Sequence, residues 1–88
     1  MSANVDLKAC TIYERLIEAF EDGTVDYTCA QDLHAFRITR GSLQHEIDFS
    51  QQALEGHDVR DIEQAAGRLA EVLKASVSSR HIRIASYA

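Results

Sequence analysis

Residues 24–50 read TVDYTCAQDLHAFRITRGSLQHEIDFS, and this stretch decides the fold. Three runs alternate in character: Thr24 to Cys29, Leu33 to Arg40, and Leu43 to Ser50. A period of two marks strands that bury one face and expose the other. Gly41-Ser42 separates the last two runs and suits a two-residue hairpin with glycine first, where the turn needs a positive φ. Gln31-Asp32 supplies the turn between the first two.

These turns fix a register that can be checked for consistency. A turn at residues 41 and 42 sets Ile38 opposite His45, Phe36 opposite Ile47, and His34 opposite Phe49. A turn at residues 31 and 32 sets Val25 opposite Ile38, Tyr27 opposite Phe36, and Cys29 opposite His34. One face then carries Val25-Ile38-His45, Tyr27-Phe36-Ile47 and Cys29-His34-Phe49. The other carries Thr24-Thr39-Gln44, Asp26-Arg37-Glu46 and Thr28-Ala35-Asp48. Arg37 falls between two carboxylates, a favourable cross-strand arrangement. Two turns read independently thus agree on one apolar and one charge-matched face.

The flanking sequence supplies the second layer. Ile12, Tyr13, Leu16, Ile17 and Phe20 recur at helical spacing, with Ala9 and Cys10 extending the stripe upstream, so a helix is predicted from about Asp6 to Phe20. Asn4 or Asp6 caps its start and Gly23 closes it. Residues 50–56 form a short connecting turn of helix. Asp58 then caps a longer helix reaching about Ser76, with Ile62, Ala65, Ala66, Leu69, Val72 and Leu73 as its apolar stripe. Alternation resumes at Arg80-His81-Ile82-Arg83-Ile84-Ala85-Ser86, a fourth strand with Ile82 and Ile84 on one face and His81 and Arg83 on the other. A strand entered through a crossover helix runs parallel to its neighbour. The expectation is a single α+β domain spanning residues 1–88, with residues 1–5 as a loose extension. Its element order is α-β-β-β-α-β: a mainly antiparallel four-stranded sheet with two helices packed on one face.

Charge narrows the functional classes. The formal net charge is -5. Residues 1–35 carry Lys8 and Arg15 against Asp6, Glu14, Glu18, Glu21, Asp22, Asp26 and Asp32, and the rest of the chain is balanced. An acidic surface repels phosphate backbones, which argues against nucleic acid and anionic membranes as partners. No run approaches the roughly 20 apolar residues of a membrane span, and the first residues lack the basic and apolar regions of a signal peptide. A cytoplasmic location is expected. The two cysteines, Cys10 and Cys29, form no C-x-x-C pair and read as small buried hydrophobes.

Candidate chemistry is sparse. Cys29, His34 and His45 project to one predicted face and are the residue types of a zinc or nucleophile site. The competing reading is a pair of hydrogen-bonded or half-exposed histidines near the sheet rim, and His45 lies a full row from the other two. His57 precedes the cap Asp58 and reads as a loop residue. Asp26, Arg37, Glu46, Asp48, His81 and Arg83 form a polar sheet face, expected to be too open to shift a carboxylate pKa for acid-base work. Phosphate-binding glycine loops, nucleophile elbows and H-E-x-x-H are absent. No catalytic residue, metal ligand or cofactor is therefore assigned.

The order helix-strand-strand-strand-helix is similar to that of double-stranded-RNA-binding domains. That family's basic start to the second helix is replaced here by Asp58-Val59-Arg60-Asp61-Ile62-Glu63, which removes the phosphate contacts, so the resemblance implies topology alone. In size, acidity and α/β character the chain also resembles type III secretion chaperones, which implies an adaptor role. The leading expectation is a non-catalytic protein-interaction or regulatory module, with another protein or a second copy as partner. The alternatives are small-ligand or metal binding through Cys29, His34 and His45, and an accessory enzyme subunit or secretion-chaperone-like adaptor.

Overall fold

The computed structural model describes residues 2–84, with side chains from Val5 onward. Its elements run α1 (Ser2–Ala19), β1 (Thr24–Ala30), β2 (Leu33–Arg40), β3 (Leu43–Ser50), α2 (Gln51–Glu55), α3 (Val59–Lys74) and β4 (His81–Ile84). The sheet order is β1-β2-β3-β4, antiparallel except for the parallel β3–β4 pair. Helices lie on one side of an open α+β sheet, as the alternation requires.

Every cross-strand pair expected from the two turns is observed. Val25 faces Ile38, Tyr27 faces Phe36 and Cys29 faces His34; Ile38 faces His45, Phe36 faces Ile47 and His34 faces Phe49. Gly41 has φ +57° with open space around its Cβ position, so the turn conformation itself is what calls for glycine. Gln31 adopts φ 55° at the corresponding place in the first hairpin, where a side chain is strained.

The core is built on Phe20, Phe36, Phe49, Ile12, Leu16, Ile38, Ile47, Leu54, Ile62 and Leu73, all fully buried. Phe36 is its centre: its ring stacks on Tyr27 at 4.9 Å between centroids and meets Phe49 edge-on at 5.9 Å. β4 completes the sheet, with Ile82 beside Ile47 and Ile84 beside Phe49; the expected continuation of this strand through Ala85 and Ser86 lies outside the described residues. α3 begins where Asp58 Oδ1 accepts the Asp61 backbone N–H at 2.9 Å. α2 begins where Ser50 Oγ accepts from Ala53 at 3.1 Å.

Several local expectations need correction. α1 starts at Ser2, ahead of the expected Asp6. Its buried stripe is Val5, Lys8, Ala9, Ile12, Leu16 and Phe20, which leaves Cys10 and Ile17 outward. Helical rotation is the reason: residues 5, 9, 12, 16 and 20 share one line, and Cys10 and Ile17 lie about 100° from their neighbours. Val72 of α3 is exposed for the same reason. Cys29 is also exposed, because β1 is the sheet edge. Neither cysteine is the buried hydrophobe expected. Gly23 does not cap α1 in the left-handed region; a Cβ there would stand 2.3 Å from the Thr39 carbonyl oxygen, so close backbone approach excludes a side chain. Among the described residues no helix is long and apolar enough to cross a membrane.

Candidate functional site

The Cys29-His34 neighbourhood is a polar chain at one end of the sheet. The Tyr27 hydroxyl lies 2.7 Å from His34 Nδ1, and His34 Nε2 lies 2.9 Å from Gln51 Oε1. The amide oxygen only accepts, so Nε2 carries the proton and Nδ1 accepts from the tyrosine. Gln51 Nε2 in turn donates to Glu55 at 3.2 Å. Cys29 Sγ is 4.0 Å from His34 Nε2, at the long limit for a sulfur contact. The Tyr27 pKa is pushed up to about 12, first by burial of its hydroxyl and then by the Cys29 thiol and the Asp6 carboxylate. His34 is thereby saturated by neighbours that hold its ring and its tautomer.

His45 stands apart from that chain. It is fully buried, and its Nδ1 accepts the Arg80 backbone N–H at 3.1 Å. Nε2 has no hydrogen-bond partner among the described residues. Burial lowers its pKa, with Arg40 and Arg80 adding to the effect, so the ring is held neutral. Both histidines are thus buried and hydrogen-bonded, which matches the hydrogen-bonded form of the competing reading and excludes its half-exposed form. The structure brings Cys29 and His34 together and leaves His45 beside Ile38, further along the sheet.

An open cleft of about 550 Å³ runs between α1 and β1, lined by Asp6, Ala9, Cys10, Tyr13, Asp26 and Tyr27. Lys8, one of two cations in the first 35 residues, does not reach it: the side chain is buried and Nζ donates to the Leu54 carbonyl at 2.6 Å. Sequence reasoning missed this, since a lysine on a helix reads as solvent-facing. The Cys10 thiol sits 3.7 Å from Glu14 Oε2, and that carboxylate raises its pKa. Cys10 is therefore a poor nucleophile near neutral pH.

The opposite face of the sheet departs most from expectation. Arg37 contacts Glu46 at 3.4 Å, matching the cross-strand pairing foreseen. Asp48, however, is only 1% exposed on a face expected to be open. His81 Nε2 lies 2.6 Å from Asp48 Oδ2 and 3.5 Å from Glu46 Oε2, and Arg83 lies 3.9 Å from Asp48. The addition of β4 beside β3 turns a flat polar surface into an enclosed one around Asp48. The period of two had already placed Glu46, Asp48, His81 and Arg83 on one face; only the β4 register was lacking to join them.

Comparison with known proteins adds no family. No protein-family model matches the chain, and no curated protein matches it in sequence. The fold and its surfaces define an open-sheet α+β domain with an acidic cleft at one edge and a carboxylate-imidazole cluster near the other.

Proposed function

We propose that this protein is a non-catalytic interaction module that accepts an extended, basic segment of another protein along the free edge of β1. The observation that carries the reading is the acidic α1–β1 cleft beside an edge strand. β1 pairs with β2 on one side, and its other side has no strand partner among the described residues. Six of its seven residues are exposed. An added strand gains main-chain hydrogen bonds from such an edge, while side-chain pockets choose the sequence. Here Tyr13 and Tyr27 offer aromatic surface, and Asp6 and Asp26 attract lysine or arginine. The charges act mainly on association rate and on rejection of acidic competitors.

A second copy of the chain fits this edge less well than a basic segment, because it offers no positive charge from β1 to the acidic cleft. The acidic surface also favours a protein partner over nucleic acid. A cytoplasmic setting suits the exposed, unlinked thiols of Cys10 and Cys29. Selection from a library of displayed octapeptides tests the reading. The expected winners are proline-free sequences with alternating lysine or arginine, and their binding weakens in Asp6→Asn/Asp26→Asn and at high salt. Enrichment of acidic or proline-rich sequences, or of none, overturns it.

A further inference from the structure

Glu46 and Asp48 stand two residues apart on β3, so both side chains leave the sheet on the face away from the helices. β4 runs beside them in parallel, with His81 opposite Glu46 and Arg83 opposite Asp48. One donor atom from each of Glu46, Asp48 and His81 lies within 4.8 Å of the other two. An acidic pair with a histidine is common on protein surfaces, and proximity by itself decides nothing. Asp48 supplies the second observation. Its side chain is 1% exposed, yet Oδ1 has no hydrogen-bond partner among the described residues. Its other oxygen, Oδ2, is paired with His81 at 2.6 Å, so Oδ1 is the atom left over, and a buried carboxylate oxygen without a partner is costly.

We infer that Glu46, Asp48 and His81 bind a divalent transition-metal cation, with zinc the best match. One imidazole nitrogen and two carboxylate oxygens fall within the zinc ligand set, with a fourth position left to water. Calcium and magnesium are poorer matches, since both favour oxygen-only shells with six or more ligands. Tetrahedral ligands at about 2.1 Å from zinc stand roughly 3.4 Å apart. The present separations of 2.6 Å and 3.5 Å from His81 Nε2 bracket that value. Asp48 is fixed by burial, whereas His81 and Glu46 are partly exposed and close around it. Arg37 engages the other Glu46 oxygen, Oε1, and leaves Oε2 toward His81. The Arg37 and Arg83 guanidiniums oppose added positive charge, so the site binds reversibly and follows the metal supply. It lies on the face opposite the helices, away from the β1 edge, and is independent of the interaction proposed there.

Isothermal titration of the chelator-treated chain with Zn²⁺ alone provides the test, with the cobalt(II) spectrum as a second readout. The expected result is one equivalent bound and an oxygen/nitrogen-type cobalt spectrum without thiolate charge transfer. Asp48→Asn and His81→Gln each weaken binding by about tenfold or more, since even outer-shell changes cost about 10–100-fold. His81 is exposed enough that His81→Gln retains the fold, to be confirmed by circular dichroism. Cys29→Ala and His34→Gln leave binding unchanged. The inference is overturned by no zinc uptake, by unchanged affinity in folded His81→Gln, or by loss of zinc in Cys29→Ala with a thiolate cobalt band.

Discussion

Phe36→Ala is the perturbation whose cost follows most directly from the packing. Phe36 has no solvent exposure, stacks on Tyr27 at 4.9 Å and meets Phe49 edge-on at 5.9 Å. Truncation removes the ring from water-free surroundings and leaves a cavity that two other rings and the α1 stripe cannot readily fill. Such changes cost about 3–5 kcal/mol. Proteins have about 0.05–0.15 kcal/mol of stability per residue, so this loss is a large share of what a chain this size possesses. Arg37, the next residue, points the other way: its side chain is 57% exposed and its contact with Glu46 is 3.4 Å. Arg37→Ala should cost no more than about 1 kcal/mol. Urea denaturation followed by far-ultraviolet circular dichroism measures both, provided the slope with denaturant stays constant. The adjacent pair should differ by about 2 kcal/mol or more. Equal losses would mean that β2 is inverted or buried on both faces, and the register would be refuted with it.

Other consequences are local. In an ultraviolet absorbance titration Tyr27 should ionise near pH 12, well above an ordinary tyrosine at about 10. The folded state then holds a proton that the unfolded chain has released, so stability falls as pH rises from about 10 toward 12; Tyr27→Phe should remove that dependence, and uniform titration near 10 would contradict the burial of the hydroxyl beside Cys29. Gly41→Ala should destabilise by about 1 kcal/mol while Gln31→Gly stabilises by a similar amount, because both positions hold a positive φ; shifts of the same sign in thermal unfolding would exclude that geometry. Asp58→Ala should cost about 1 kcal/mol through the lost cap on α3, with Asp58→Asn restoring most of it in the same unfolding assay.

The two hairpins were fully legible because turn chemistry and alternation are both local. Gly41 fixes a turn, and a single turn propagates register along two strands. The helices were legible as elements, but their faces were less so. A stripe containing both Ile12 and Ile17 admits several rotations, and only packing against the sheet selects the one that buries Val5 and Lys8 and exposes Ile17 and Cys10. The polar face was the least legible. Its membership followed from alternation, but the burial of Asp48 depends on β4, whose place in the sheet is set by the long crossover between Ser50 and His81. Non-local pairing of this kind leaves no periodic trace. The same holds for Lys8, whose partner, the Leu54 carbonyl, lies 46 residues away.

Docking of an extended basic segment on the β1 edge, over the α1–β1 cleft, is tested most directly by intermolecular nuclear Overhauser contacts between isotope-labelled protein and an unlabelled selected peptide. The prediction is a ladder of contacts from backbone amides in Thr24–Ala30 to alternate residues of the peptide, with side-chain contacts to Tyr13 and Tyr27. A bound peptide whose contacts fall on β4, on α3 or on the polar sheet face would contradict it.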